Sequence, residues 1–198
     1  MNNPAKQSAD SPRERILAVA SDLFYRQGYR ATGINEVIEK SGVAKATFYH
    51  HFPSKDDLAR AYLELSFDKE MLYLQDALAR ADGPLERLCA VLESLGPWLV
   101  ETDFRGCVFI NMASEVPDPQ SPLRQVGIRM YSTVRARVEQ LSRELIDSDP
   151  EKYAHLDLQT LVEDYMLRFV GAIALAEIYH DIWPFEQAAQ TVRRLVGE

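Results

Sequence analysis

The side chains best suited to contacting another molecule lie between Ala44 and Phe52. Phe48 and Phe52 are four residues apart, so a helix over this stretch places both on one side. The other side then carries a cation, hydroxyl groups and an imidazole, which form hydrogen bonds with phosphates and base edges. These groups belong to Lys45, Thr47, Tyr49 and His50. The stretch is therefore predicted to be a short helix that buries two phenylalanines and presents groups that suit DNA.

A second short helix precedes this one and would hold it in place. Ile34, Val37 and Ile38 form an apolar stripe with helical spacing. Gly42 is predicted to end this helix because glycine tolerates the left-handed backbone found there. Two short helices joined by a tight turn are the layout of a helix-turn-helix, whose second helix can lie in the DNA major groove. Helices this short do not fold alone, so a larger helical body must carry them.

Helical periodicity continues on both sides of this pair. Ser11 is the predicted N-cap of a first helix, and Thr32 or Gly33 is the predicted cap of the next one. Further helices are predicted at 55–80, 84–101, 106–115, 122–147, 157–180 and 184–196. Gly96 and Pro97 should kink or shorten the second of these.

The predicted fold is all-α, because no segment alternates apolar and polar residues over any length. Three helices that share an apolar side would form an N-terminal helix-turn-helix head, and the remaining helices a C-terminal bundle. We expect residues 1–11 to be a flexible arm, residues 12–60 to be the head and residues 61–198 to be the body.

The composition is that of a globular chain, with 198 residues, 46% of them hydrophobic and 26% charged. The formal net charge of -8 at first argues against a nucleic-acid partner. The acidic residues are unevenly distributed, however: residues 1–66 contain nine Lys or Arg and eight Asp or Glu, whereas residues 67–198 contain 13 and 22. The head needs only local positive charge, so the acidity of the body is a weak objection.

Several classes of protein are disfavoured by the sequence. Two cysteines are too few for a disulfide framework, no signal peptide precedes them, and the longest apolar run, around Phe169–Ala176, is far shorter than a membrane span. We therefore expect a cytoplasmic protein without a membrane partner. No glycine-rich phosphate loop, catalytic carboxylate pair or metal-spaced His/Cys set is found, so we expect neither an enzyme nor a cofactor. The adjacent His50 and His51 point in different directions and would chelate a metal poorly.

The segment GYRATGINEVIEKSGVAKATFYHHFPSKDDLARA resembles the DNA-binding head of the TetR family of transcriptional repressors. The positions that carry the resemblance are Gly28, Tyr29, Thr32, Ile34, Val37, Gly42, Val43, Tyr49, Phe52 and Lys55. It covers about residues 12–60, and Gly33 departs from it, since the family often has Ser or Thr there. The resemblance implies an obligate homodimer whose two heads contact successive major grooves of double-stranded operator DNA, roughly 34–36 Å apart.

Carried over to this sequence, the resemblance assigns Lys45, Ala46, Thr47, Tyr49 and His50 to the DNA. Thr47 would contact a base edge or a thymine methyl group, and Tyr49 and His50 would contact phosphates. Ala46 would permit close approach. Two further positions are implied at the sugar-phosphate backbone. Lys55 would add affinity at one phosphate, while Thr32 and the N–H groups after it, including that of Gly33, would hold another.

The resemblance also implies that the body binds a small effector and dimerises through about residues 157–196. One side of the helix at 157–180 would meet its own body and the other a second subunit. Gly171, Ala172, Ala174 and Ala176 would permit close helix approach; burial of this helix inside a monomer is the alternative. Aromatic and methionine side chains suit an adaptable pocket, although such residues also form ordinary cores. The candidates for the lining are Trp98, Phe104, Phe109, Met112, Met130, Tyr131, Tyr165, Met166 and Phe169, with Cys107 beside them.

Cys107 follows Arg105 and Gly106 at the predicted start of a short helix. A cation and a helix dipole both lower the pKa of a thiol there. RGCVFINMASE also resembles a segment of a subset of the family, in which some members sense electrophiles or oxidants through a cysteine.

The function that the resemblance predicts is that of a repressor released by a small effector. A redox or electrophile sensor acting through Cys107, an activator, and a regulator without a ligand are the alternatives, and Cys107 as a small buried residue is the plain one.

Overall fold

The computed structural model describes residues 11–197. Its elements are α1 (Pro12–Gln27), α2 (Ile34–Ser41), α3 (Lys45–His51), α4 (Lys55–Ala79), α5 (Gly83–Glu93), α6 (Leu95–Glu101), α7 (Val108–Glu115), α8 (Pro122–Ser148), α9 (Leu158–Tyr179) and α10 (Trp183–Leu195). No strand occurs in this part of the chain, and the all-α prediction is confirmed. The predicted arm lies outside the described residues, except for Ser11.

The head consists of α1, α2 and α3 packed around Phe48, which is fully buried. Ser11 caps α1 as predicted: its hydroxyl accepts the N–H of Glu14, and the Glu14 carboxylate accepts the N–H of Ser11. Gly42 ends α2 in the left-handed conformation, with φ of +65°. These local features set the lengths of the helices, and the buried phenylalanine sets how they pack.

The longest connection between head and body is α4 itself. Ser54 caps its N-terminus, and its 25 residues pack against α1 in the head and against α5 and α8 in the body. Leu58, Ala59 and Leu63 are fully buried at the junction. α4 is therefore one continuous helix that contacts both the head and the body.

The body contains α5 to α10. The predicted helix at 84–101 is divided at Ser94 into α5 and α6, which bears out the expected interruption near Gly96 and Pro97. Pro97 has no N–H group and is placed in the first turn of α6, where none is needed. α10 packs against α5 and α9, and α8 packs against α5, α7 and α9. No helix in the described region is long and apolar enough to cross a membrane.

Candidate DNA-contacting surface and effector cavity

The outer face of α3 is the candidate DNA-contacting surface. Lys45, Ala46, Tyr49 and His50 are exposed on it, and Thr47 is half-buried. Beneath them Phe48 fills the core, and its ring meets the Tyr49 ring edge-on at 5.2 Å between centroids. The five predicted side chains thus share one surface of the head, and the contacts they would make with DNA stay a prediction.

The role predicted for the Thr32 side chain needs correction. Thr32 is 1% exposed, and its hydroxyl donates to the Gly28 carbonyl at 2.7 Å and accepts from Gln27. It therefore braces the turn between α1 and α2 from inside and cannot reach a phosphate. Gly33 is the N-cap of α2, without a side-chain cap. Only the backbone N–H groups that follow Thr32 remain available for that contact.

Lys55 has contacts inside the protein that the sequence did not predict. Its ammonium lies 4.5 Å from the centroid of the Tyr29 ring and donates to the Arg30 carbonyl at 3.3 Å. Partial burial lowers the pKa of Lys55. The Tyr29 hydroxyl donates in turn to Asp56. Lys55 consequently ties the α1–α2 turn to the start of α4, and any phosphate contact would use its remaining donors.

The end of α7 holds the same turn from the body side. The Glu115 carboxylate accepts the backbone N–H of Tyr29 at 3.0 Å and that of Arg30 at 2.6 Å. Gly28 has φ of +93°, and a Cβ atom there would lie only 2.7 Å from Glu115 Oε1. Glycine is required at this position both for its backbone conformation and for the approach of the carboxylate.

Glu115→Ala is expected to lower the free energy of unfolding by about 1–3 kcal/mol, because two N–H groups of the turn lose a charged acceptor. Urea denaturation followed by circular dichroism measures this loss. Glu39→Ala, at an exposed position on α2, is the control and should change stability by less than about 0.5 kcal/mol. Equal losses in the two variants would show that the Glu115 contact does not stabilise the protein.

A second contact between body and head lies at the start of α7. The Tyr25 hydroxyl on α1 donates to the Gly106 carbonyl at 3.1 Å. Arg105 donates to the Arg26 carbonyl and lies 3.5 Å from the Glu177 carboxylate on α9. Both ends of α7 therefore touch the head, and its N-terminal end is also tied to α9.

The lowered pKa predicted for Cys107 is wrong. Cys107 is 4% exposed, and burial raises the pKa of its thiol to about 12. The Arg105 guanidinium that was expected to activate it faces Glu177 instead, and the neighbour of the sulfur is the Tyr131 hydroxyl at 3.5 Å. At neutral pH almost none of this thiol is thiolate, so the structure favours the plain alternative, a buried small residue.

A cavity of about 40 Å³ lies inside the body between α4, α5, α6, α8 and α9. Its walls are mainly apolar, as expected for an effector site, but it holds only a few water molecules as it stands. The lining residues are Glu70, Met71, Tyr73, Leu74, Val91, Ser94, Leu95, Trp98, Met130, Val134 and Phe169. Trp98, Met130 and Phe169 were among the predicted candidates. Glu70 was not, although its position three residues after Phe67 and four before Leu74 put it on an apolar stripe.

An open groove of about 300 Å³ adjoins this cavity, since Glu70, Tyr73 and Trp98 line both. Its other wall includes Ser21 and Tyr25 of α1, so the groove lies between the head and the body. Together the cavity and the groove offer the space that a drug-sized molecule needs, roughly 300 Å³ or more.

Other predicted lining residues lie elsewhere. Tyr165 is 1% exposed and donates to the Leu88 carbonyl at 2.6 Å, and Met112 is buried in the core, so neither lines the cavity. Phe104 stands beside the ring of His180 at 4.8 Å. Tyr131, Met166 and Phe109 line a separate open groove along α7 and α8. Within residues 11–197 no group of three or more potential metal ligands is found.

Comparison with known proteins identifies the family. The profile described as "Bacterial regulatory proteins, tetR family" matches residues 16–62, and the profile "Tetracyclin repressor-like, C-terminal domain" matches residues 84–192. The second match alone spans more than half of the chain. The chain belongs to the TetR family of bacterial transcriptional regulators.

Three similar proteins match this TetR-family chain over nearly their whole length. The HTH-type transcriptional regulator Rv0196 of Mycobacterium tuberculosis is 30% identical over 190 residues, which cover 93% of this chain and 94% of the relative. The HTH-type transcriptional repressor NemR of Escherichia coli is 24% identical over 194 residues, 97% of each chain. The crystal structure of SCO4454 from Streptomyces coelicolor superposes with a TM-score of 0.81 at 27% identity, covering 94% of this chain and 96% of the other.

Membership of the TetR family confirms the function at the level of class. The chain is a DNA-binding transcriptional regulator with a helix-turn-helix, and its family comprises regulators rather than enzymes. α3 is the second helix of that motif, and its exposed face is the candidate DNA-contacting surface.

Proposed function

We propose that this TetR-family chain is a homodimeric repressor that a small effector releases from its operator. The observation that carries the proposal is the apolar cavity against α4, the helix whose first turns pack in the head. The relative NemR, named a transcriptional repressor, supports the direction of regulation. The proposed division is a head at 12–60 and a body at 61–198, with α4 crossing the boundary.

The proposed dimer surface is an apolar stripe on α9 that this chain does not cover. Its members are spaced by three or four residues, as one face of a helix requires. They are Leu167, Val170, Gly171, Ala174, Leu175 and Ile178. Leu167 and Ile178 are 73% and 72% exposed, which is costly for an isolated subunit. Of the four small residues predicted to permit close helix approach, Gly171 and Ala174 lie on this stripe, whereas Ala172 and Ala176 are buried inside the subunit.

On the proposed operator complex, the outer face of α3 enters the major groove. Thr47 contacts a base edge, and Ala46 allows close approach of the helix to the bases. Lys45 contacts the DNA beside them, and Tyr49 and His50 contact phosphates. The backbone after Thr32 and the remaining donors of Lys55 meet phosphates at the edge of the groove.

Release of the operator follows from widening of the cavity. An effector larger than the cavity must push apart α4 and α8, whose methionines Met71 and Met130 can change conformation to make room. α4 then shifts under the head, while the contacts of α7 with Tyr25 and Tyr29 carry the same movement to α1. The heads of the dimer no longer fit two successive grooves. The effector needs only to bind the released form more tightly than the DNA-bound form by a few kcal/mol.

Leu74→Trp is expected to leave operator binding intact and to abolish release, because the larger side chain fills the cavity from α4. The DNA upstream of the gene that encodes this protein is labelled and used in fluorescence anisotropy. This measurement first identifies compounds that release the wild-type protein from the DNA. The variant is then tested with the same compounds. Leu72→Trp, on the same helix but 65% exposed, is the control and should respond as the wild type does. Full release from the Leu74→Trp variant would rule out this cavity as the effector site.

A further inference from the structure

One oxygen of Glu70 lacks a hydrogen-bond partner inside the body. Glu70 Oε1 is out of contact with solvent and has no partner in the structure, although the residue as a whole is partly exposed. A buried carboxyl oxygen in this state costs free energy that the fold must supply elsewhere. Glu70 lines both the cavity and the adjoining groove, where the positive charge of a bound molecule could compensate the buried carboxylate.

The surroundings of Glu70 have the chemistry of a site for an organic cation. No Lys, Arg or His lines the cavity, and its aromatic members are Tyr73, Trp98 and Phe169. In the groove, Lys69 is the one basic residue in the lining, against Asp22, Glu70 and Glu101. Aromatic faces attract cations through the ring quadrupole, most strongly when water is excluded. The cavity offers an anion no basic side chain, and the groove offers it Lys69 alone beside three carboxyl groups.

We propose that the cavity and the groove together bind an apolar organic cation, with its charged centre against Glu70 and its apolar part against Trp98 and Phe169. The proposal names the ligand class for the site proposed above as the effector site, and it concerns binding itself. The surrounding acidity supports it, because the excess of acidic residues after residue 66 raises the local concentration of cations.

Binding of the cation displaces a proton. Burial raises the pKa of Glu70 to about 8, so the empty site is mainly protonated and uncharged at pH 7. When a permanent cation binds, the carboxyl proton passes to the buffer and the carboxylate pairs with the cation, which keeps the site neutral overall. A neutral ligand would leave the proton in place. The two ligand classes therefore differ in a quantity that calorimetry measures.

Glu70 is the group around the site whose titration falls near neutral pH. Tyr62 on α4, Tyr131 on α8 and Cys107 before α7 face the carboxyl, and burial raises the pKa of all three, that of Cys107 to about 12. No histidine is among the residues that line the cavity or the groove. A change in cation affinity between pH 6 and 9 would accordingly report on Glu70.

Phenyltrimethylammonium is the probe, and 2-phenyl-2-propanol, a neutral molecule of similar size and shape, is its matched control. Isothermal titration calorimetry of the wild-type protein without DNA is expected to show the cation binding at least about tenfold more tightly than the alcohol. The quaternary ammonium has no N–H to donate, so the difference arises from charge attraction to Glu70 and to the aromatic faces. Titrations in phosphate and Tris at pH 7 should show release of close to one proton per site with the cation and none with the alcohol. The affinity for the cation should rise about tenfold per pH unit from pH 6 and level off above about pH 8.

Glu70→Gln keeps the shape of the side chain and removes its charge. It should weaken cation binding at pH 8.5 by at least about tenfold, abolish the pH dependence, and leave alcohol binding within about twofold of the wild type. If this variant does not fold, the proton release and pH profile of the wild type decide the matter alone. Equal affinities of wild type and variant for the cation, an alcohol that binds as tightly as the cation, or no cation binding at 10 mM, a limit on the order of the weakest useful affinities, would overturn the proposal.

The outcome is independent of the proposed release mechanism. A cation that binds through Glu70 and leaves the operator complex intact would support this binding site and show that its occupation alone does not release the operator. An operator complex released by neutral compounds through the cavity, with no binding of the cation, would do the reverse.

Discussion

Ala46→Glu is expected to reduce affinity for operator DNA by about 100-fold or more, equivalent to about 2.7 kcal/mol. Ala46 is exposed in the first turn of α3, between Lys45 and Thr47. A carboxylate there would be brought close to the phosphates that border the major groove, and it would also prevent close approach to the bases. Fluorescence anisotropy with labelled operator DNA, at a fixed salt concentration, measures the loss.

The folding of the variant should be unchanged, because Ala46 faces solvent and Phe48 is left in place beneath it. Ala18→Glu introduces the same charge at an exposed alanine in the middle of α1 and is the matched control. We expect this control to retain affinity within about threefold, since long-range repulsion is largely screened at physiological ionic strength. Similar losses in both variants would mean that added charge, and not the position on α3, weakens binding.

Ile178→Glu is expected to dissociate the homodimer and, as a consequence, to weaken operator binding by about 100-fold or more. Ile178 lies near the end of the apolar stripe on α9 and is 72% exposed in the single subunit, so the substitution leaves the subunit core intact. In a two-fold dimer the change occurs twice, and each carboxylate would be buried without a partner. A monomer carries only one head, so it loses the additional operator affinity that two linked heads give the dimer. Sedimentation velocity measures the mass, and anisotropy measures the affinity.

Leu72→Glu is the matched control, since Leu72 is 65% exposed on α4 and lies outside the stripe. That variant should remain dimeric with unchanged operator affinity. A dimeric Ile178→Glu protein, or a wild type that sediments as a monomer at micromolar concentration, would contradict the proposed interface on α9.

The contacts at the two ends of α7 connect the head with the body. Glu115 accepts the N–H groups of Tyr29 and Arg30, and Gly106 accepts the hydroxyl of Tyr25. The last turn of α1 and the turn after it are therefore attached to the two ends of one short helix. The groove beside the cavity has Tyr25 in its wall. In the proposed release mechanism, a ligand in this groove would lie next to one of the two attachments, and α4 would be a second connection from the same site to the head.

The sequence by itself determined the helices and the character of the head. The start of α1 at Ser11, the end of α2 at Gly42 and the buried side of α3 at Phe48 depend on residues within one or two turns of each other. Such information is local, because capping groups and helical periodicity act over three or four residues. The interruption near Gly96 and Pro97 was predictable for the same reason, as was the presence of an apolar α9.

Only the tertiary structure decided which side chains form the cavity and which connect head and body. Tyr165 and Phe169 are aromatic residues four positions apart on one helix, so their places in the sequence do not distinguish them. Tyr165 nevertheless donates to the Leu88 carbonyl in the core, whereas Phe169 lines the cavity. Cys107 follows an arginine, but the partner of that arginine is Glu177, some 70 residues away in the chain and next to it only after folding. The carboxylate of Glu115 meets Tyr29 across a similar separation. The burial and the pKa of a side chain depend on how distant helices pack, and the spacing of neighbouring residues does not determine that packing.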